Sequence, residues 1–564
     1  MKHLYVMGFF GWLLLRSLSL AFGADLPLKP DDYRTTPSPL RLFLDQWSLY
    51  SPPPSKYTLG FIRTADEETA KVTLREAILI GLENNPGIVV DRLEMPKAAA
   101  TVLQEQAIFD PSLNLEFNQD FVNDPSGRRQ TDTVSVTTIN RNRNVNLSLT
   151  KRLLTGAQLE FSIFGNRLVT TSTSQVLRPE FQTSLGFTFT QPLLRDFGLS
   201  ITTIRIKVAE NQQEVSFLNY QTKLAQLIQQ ITETYWKVVF ADKNLEVQRK
   251  GVELADALLR AAQARVDVGL LAPVAVTEAR AEKARREELV VTAENELEIA
   301  REELRLMLNL NPQDKFLPRN IEPVESPSLE PLMIDRATIM EHALRRRYEV
   351  QAANLDVNNK HLESRLAENQ LLPRLDFKAG AHLLGISGRE ISGKGSNEFK
   401  GGFADGVDRL FGGEFSDNSF GIVLQIPLGN AQAKSNYSRA RIEQDQAQAR
   451  RRDLVRQITL EVATEIGNVA ANFKRIETTR LSRELGQENL RNQEARYEFG
   501  LTTLTDLIDF QTRLLEADFA ELSAIKDYNN SLSRLRLVEG TLLDHYNIEV
   551  EQPAPEPKPW WGKF

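Results

Sequence analysis

Asp506 and Asp509 are the acids whose placement most invites a chemical reading. They follow Gly500-Leu-Thr-Thr-Leu-Thr505 and, three residues apart, fall on one face of a helix. Thr503-x-x-Asp506 has the form of a capping box, in which hydroxyl and carboxylate satisfy each other's backbone N–H groups. Acids in a first turn also complement the helix dipole. Little else in the chain could do chemistry. Its 564 residues include no cysteine and five histidines, which excludes disulfides, thiolate nucleophiles, Cys-ligated zinc and iron–sulfur clusters. His342 and His361 share a helix but lie nineteen residues apart, too far for joint metal ligation. Gly388-x-x-x-x-Gly393-Lys394 misses a phosphate-binding loop, because Gly395 stands where Ser or Thr is required and no strand–helix context surrounds it. The runs Arg345-Arg-Arg347 and Arg450-Arg-Arg452 read as solvated faces. No nucleophile–base pair is visible, so neither an enzyme nor a cofactor or metal site is expected. A net charge of −7 argues against a nucleic-acid partner.

The elements that would position those acids are written twice. A shift of 262 residues lays Leu82 on Leu344, Leu93 on Leu355 and Pro111-Ser-Leu-Asn-Leu on Pro373-Arg-Leu-Asp-Phe. A shift of 231 lays Arg265-Val-Asp-Val-Gly269-Leu270 on Arg496-Tyr-Glu-Phe-Gly500-Leu501, and Glu278 on Asp509. The chain therefore divides into 1–23, a Pro-rich extension 24–72, a first helix–strand–helix repeat 73–311, a linker 312–334, a second repeat 335–545 and a tail 546–564. Apolar steps of three and four predict long coiled-coil helices over 200–266 and 431–498, on the order of 100 Å each. Helices half that length are expected near 73–107, 274–309, 335–371 and 503–545. Between the first and second helix of each repeat the chain alternates, as in Leu113, Leu115 and Phe117 against Asn114, Glu116 and Asn118. One apolar and one polar face suits a half-buried sheet or a membrane barrel with a wet lumen.

Residues 1–23 read as a secretory signal: Lys2 and His3, the apolar run Leu4 to Leu15, and a small-residue site at Ala21-Phe22-Gly23. Removing them takes Lys2 and Arg16 and no acid, moving the charge to −9. No later stretch is apolar enough to span a bilayer as a helix. Export favours the barrel over the soluble sheet.

The order of these motifs, occurring twice, resembles the TolC-type outer-membrane efflux family, as do Val72-Thr-Leu-Arg-Glu-Ala-Ile78 with Asn84-Asn-Pro86, the strand exit Gln191-Pro-Leu-Leu194 and the paired Arg-x-x-x-Gly-Leu turns. The resemblance runs over roughly 73–545. It implies an α+β membrane protein: a homotrimeric outer-membrane β-barrel continuous with a periplasmic α-helical coiled-coil barrel. Such a duct serves tripartite efflux or type I secretion, with a periplasmic membrane-fusion adaptor, an inner-membrane transporter of RND, ABC or MFS type, and outer-membrane lipid as partners. It also places Asp506 and Asp509 in an acidic ring at the periplasmic entrance, with Tyr497 linking neighbouring helices and Gly269 and Gly500 at the tip turns. Glu278 would be an additional acid there. The sequence departs from the family at Thr502, where an arginine is typical, and at Val274 and Ala275, which replace a Thr-Asp pair. It also has room for an extra hairpin, Asn144–Leu149 and Gln158–Ile163 about a Thr155-Gly156 turn, giving six strands per chain rather than the family's four. Segments 122–142 and 385–413 are expected as outward loops. The competing reading is a periplasmic coiled-coil scaffold or adaptor without a barrel, from which the alternating strands distinguish the duct.

Overall fold

The computed structural model describes residues 69–125, 137–172, 175–310, 320–391 and 398–550. The signal, most of the Pro-rich extension, the residues around Lys394 and the tail beyond residue 550 lie outside them. The chain forms two compact units, each gathered from separated stretches.

One unit includes Leu103–Val208 and His361–Arg441. It is built on a six-stranded antiparallel sheet of β2 (Ser112–Pro125), β3 (Thr137–Arg152), β4 (Gln158–Thr170), β5 (Leu177–Pro192), β7 (Arg374–Glu390) and β8 (Phe415–Gln425), paired in that order. The extra hairpin is therefore part of the sheet, with Asn144 opposite Asn166 and Leu149 opposite Phe161. Its turn closes where expected. Gly156 has φ 92°, its N–H donates to the Leu153 carbonyl at 2.9 Å, and a Cβ there would meet the Asp196 carbonyl at 2.4 Å.

Register sorts the side chains into two faces, because residues directly opposite point the same way. Leu115, Leu147, Ile163, Leu185 and Leu383 form one row and Leu113, Leu149, Phe161, Phe187 and Ala381 the next. Asn118, Asn144, Asn166 and Gln182 fall on the other face.

The sheet runs further than polarity predicted. Pairing of Val122 with Asn140 and of Leu177 with Glu390 carries strand into both expected loops, because main-chain pairing does not depend on side-chain polarity. Within the second of those segments, Phe403–Gly412 is a helix, α7, whose Gly406 carbonyl accepts from the Thr183 hydroxyl at 3.0 Å. The approach needs glycine: a Cβ on Gly385 would sit 2.2 Å from that carbonyl.

The other unit includes Ala209–Lys360 and Ile442–Phe564. Its helices are α1 (Leu74–Asn84), α2 (Pro86–Gln106), α3 (Ile204–Asp267), α4 (Val274–Met307), α5 (Arg336–Arg346), α6 (Tyr348–Asn369), α8 (Ala431–Glu498) and α9 (Leu504–Glu539), some of which continue beyond its limits. The helices expected at 73–107 and 335–371 are each broken, at Asn85 and Arg347, positions 262 residues apart. At Asn85 the cause is Pro86, which pushes the preceding residue out of the helical region to ψ 118°. At Arg347 there is no proline. Its side chain, 12% exposed, pairs instead with Glu349 and Glu461 at 3.2 and 2.5 Å. The last helix stops at Glu539 rather than 545, since Gly540 turns left-handed at φ 79°.

Within the linker, β6 (Asn320–Pro323) pairs in parallel with β1 (Thr69–Val72). Tyr235 holds this junction, its hydroxyl donating to the Val72 carbonyl and accepting from the Glu325 N–H, both at 3.1 Å. Ser328 is tied to α9 through both amide atoms of Asn529, at 2.9 and 3.1 Å.

Candidate functional site

Two helix–turn–helix connections carry the residues singled out in the sequence. After α3, Gly269 has φ 75°; after α8, Gly500 has φ 73°. Leu270 N–H donates to the Arg265 carbonyl at 2.8 Å and Leu501 N–H to the Arg496 carbonyl at 2.9 Å. Gly269 N–H reaches Val266 and Gly500 N–H reaches Tyr497, at 2.9 and 3.1 Å. Both turns thus make the nested pair of bonds that a glycine in the left-handed region allows at a helix end. One apolar cluster binds them, with Leu258 and Ala262 from α3, Ala275 and Ala279 from α4, Tyr497 from α8 and Leu504 from α9.

Tyr497 is buried in this cluster at 5% exposure. Its ring lies under the Arg265 guanidinium, 4.3 Å from the centroid, and Arg265 Nη1 donates to the Tyr497 carbonyl at 2.8 Å. Its hydroxyl is buried and has no hydrogen-bond partner among the described residues. Val274 is exposed and Ala275 is packed in the cluster, and neither side chain can accept a hydrogen bond. The charged side chain that contacts Tyr497 is instead that of Arg265. The sequence quoted Arg265 only as part of a turn motif.

Asp506 is exposed and engaged locally. It accepts from the Thr503 hydroxyl at 2.6 Å, the Thr503 N–H at 3.1 Å and the Thr502 hydroxyl at 3.2 Å, while the Thr503 hydroxyl accepts from the Asp506 N–H at 3.1 Å. These bonds, that of the Thr503 hydroxyl foremost, hold its carboxyl below the usual carboxylate range. Capping uses the polar atoms of Thr502, Thr503 and Asp506 and still leaves Asp506 open to solvent. Asp509 and Glu278 are exposed as well. Asp509 lends its charge to Arg285, whose pKa is raised first by a hydrogen bond with Glu282 and, further down, by Glu516 and Asp509.

The charge cluster on α4 was not singled out in the sequence, although Glu282 and Arg285-Arg286 stand at the three- and four-residue spacing of helix ion pairs. Glu282 and Arg286, one turn apart, are buried with side chains 9% and 5% exposed. Glu282 Oε1 accepts from Arg286 Nε at 2.6 Å, and Arg285 makes two more bonds to the same carboxylate, each 2.9 Å. Arg286 Nη2 then crosses to the Thr512 hydroxyl on α9 at 2.6 Å. No grouping of His, Cys, Asp and Glu among the described residues could hold a metal ion.

The profile of the outer membrane efflux proteins matches residues 80–310 and 339–541. The chain belongs to the outer membrane efflux protein family. Among curated relatives, outer membrane protein TolC of Escherichia coli K12 is 24% identical over 376 residues, which is 66% of this chain and 73% of TolC. Among solved structures, the CmeC outer membrane channel of Campylobacter jejuni aligns at TM-score 0.59 and 16% identity, over 87% of this chain and 94% of CmeC. The open-state MtrE outer membrane channel of Neisseria gonorrhoeae aligns at TM-score 0.58 and 16% identity, over 83% and 89%. CmeC and MtrE are outer membrane channels, and the fold of this chain is similar to theirs; by its family the chain is an efflux protein of the outer membrane.

Proposed function

We propose that three copies of the chain form a passive exit duct, the outer-membrane component of a tripartite efflux or type I secretion system. The observation that carries the reading is the sheet itself. Its apolar face leaves Phe161 52%, Ile163 50% and Phe420 88% exposed, and among the described residues its edge strands β2 and β8 each lack a partner on their outer side. Water would penalise the face and hydrocarbon the edges, since unpaired backbone groups cost several kcal/mol each in lipid. Copies that join β8 to β2 and bury the apolar band in lipid remove both penalties. A scaffold without a barrel would leave the face bare.

The duplicated halves, 73–311 and 335–545, then supply strands to the barrel and helices to the periplasm, after an export signal at 1–23. At the periplasmic entrance Asp506 and Asp509 of each chain form an acidic ring, with Glu278 as a third acid and the Tyr497–Arg265 stack holding the turns closed. Such crowding favours a bound cation, because neighbouring like charges disfavour full ionisation. A periplasmic membrane-fusion adaptor and an inner-membrane transporter of RND, ABC or MFS type supply cargo and energy. The test is reconstitution of the mature protein from outer-membrane extracts. Heat-modifiable migration, a trimer mass in detergent and discrete single-channel steps in planar bilayers are expected. A water-soluble monomer that makes no channel overturns the reading.

A further inference from the structure

The extra hairpin carries charges that neither the fold nor the duct requires. On β3 and β4, Arg143 stands directly opposite Arg167, in a row that runs Gln119, Arg143, Arg167 and Phe181 across four strands. Arg141, two residues away on β3, pairs with Phe121 and holds its guanidinium 5.4 Å from the centre of that ring. Like charges directly opposite in a sheet repel and destabilise it. Nothing in the strands offsets that repulsion. The carboxylates of β2 to β5, Glu116, Asp120, Asp124, Glu160 and Glu180, all register on the polar face. Among the described residues no carboxylate forms an ion pair with any of the three arginines.

The arginines share the face of the leucine rows. Arg143 and Arg167 lie two residues beyond Val145 and Gly165, which stand in one row with Phe117 and Thr183. They are at the end of the sheet away from where α2 ends and α3 begins, since the Gly156 turn is at the opposite end, where Gly198 N–H donates to the Thr155 carbonyl at 3.1 Å. Lys151 marks that opposite edge, separated from Arg143 on the same face by Leu149, Leu147 and Val145. At about 3.4 Å per residue and a tilt near 40°, the interval from Lys151 to Arg143 covers roughly 21 Å along the membrane normal, close to the apolar band of about 25 Å that outer-membrane barrels show to lipid. Arg143 and Arg167 therefore fall at headgroup level. Helix α7 covers part of this face: Thr183 donates to its Gly406 carbonyl, and Phe403 meets Phe181 edge-on at 6.2 Å. Its first-turn acid, Asp405, accepts from the Gly402 N–H at 2.6 Å and pairs with none of the arginines.

A patch of guanidiniums at the lipid surface, with no acid on its own face of these strands, is complementary to phosphate. The planar fork of arginine grips two phosphate oxygens at once. Two arginines directly opposite, with Cα atoms about 5 Å apart, can hold one phosphate between them. Phe117 and Phe121, 52% and 59% exposed on the neighbouring strand, offer aromatic surface to acyl chains. We propose that Arg141, Arg143 and Arg167 bind the phosphates of an anionic lipid in the outer leaflet, and that this lipid supplies the counter-charge the hairpin lacks. The inference rests on the membrane reading above, which turns the apolar face toward lipid and the arginine end outward.

Titration of the purified trimer in detergent with lipopolysaccharide, followed by native mass spectrometry and by the thermal midpoint, tests this. The wild type should hold the lipid and gain stability from it. R143Q/R167Q should bind it about tenfold more weakly or worse, because charge-assisted bonds to phosphate are lost. K151Q, at the other edge of the band, should bind as the wild type does; a loss as large as that of R143Q/R167Q overturns the site. Dephosphorylated lipopolysaccharide should bind the wild type as poorly as the intact lipid binds the double variant. If inorganic phosphate alone raises the midpoint as much as the lipid does, the site takes a free anion and the lipid assignment falls. Without lipid, R143Q relieves a like-charge pair, so its midpoint should equal or exceed that of the wild type. A lower midpoint both with and without lipid would make Arg143 a structural residue and overturn the proposal. Equal binding by the wild type and R143Q/R167Q, in a trimer that still conducts, overturns the lipid site and leaves the duct intact. No channel at all overturns both.

Discussion

The turn after α3 and the turn after α8 carry the same glycine in the same conformation, with φ 75° and 73°, and the same nested backbone bonds. The helices that follow begin differently. Helix α9 opens on a full capping box between Thr503 and Asp506, whereas α4 opens after Pro273 with no side-chain cap. The acids differ in the same way. Near the first turn, Glu278 is exposed but Glu282 is buried and taken up by Arg285 and Arg286; near the second, Asp506 and Asp509 both stay exposed. A shared backbone thus supports a structural half, which anchors α4 to α9, and a half whose carboxylates stay exposed.

Neutralising the available acids should produce the largest effect. D506N/D509N is expected to abolish block of single-channel current by divalent cations, and E278Q to weaken block less; unchanged block in the double variant would retire the acidic ring. The second break is structural. R286M takes away the buried one of the two arginines on the Glu282 carboxylate and leaves it to Arg285 alone, which should destabilise the protein by about 2 kcal/mol, seen as a lowered thermal or denaturant midpoint, with E282Q/R286M recovering part of it. If R286M is silent, Glu282 is not held as described. Third, R265A removes a stacked cation and one charge-assisted bond, on the order of 1–2 kcal/mol. Hydrogen exchange around Tyr497 should then quicken about tenfold, and R496A should do less. Equal effects would erase the asymmetry between the turns.

The smallest effect is a pH dependence. The folded pKa of Asp506 lies below its unfolded value, so its contribution is fully present above about pH 4, the ordinary aspartate range, and is lost as pH falls through the depressed value. Exchange protection at the start of α9, corrected for the intrinsic rate, should fall over that acidic window. T503A should flatten the response, and the uncapped start of α4 should show none.

Local rules made much of this legible. Alternation at 144–164 placed the extra hairpin in the sheet, and Gly156, Gly269 and Gly500 marked turns that need a left-handed residue. Thr503-x-x-Asp506 is the capping box its spacing announces. Helix ends were read less well. The break at Arg347 has no proline to signal it, and one of the two carboxylates its side chain pairs with there, Glu461, is more than a hundred residues away. The helix Phe403–Gly412 was taken for a loop because its glycines look permissive, when Gly406 is where it meets the sheet.

Sequence alone determined what nearest neighbours and periodicity dictate: which segments are helix or strand, which face of each strand is apolar, and where the chain must turn. It also determined the absence of thiol chemistry, since a chain without cysteine has none in any fold. Tertiary structure decided which charges are used up and which are free. Whether Glu282 is buried, whether Arg265 finds the Tyr497 ring and which side of the sheet α7 covers all depend on residues distant in sequence meeting in space. Burial and pairing are properties of that meeting, not of residue type.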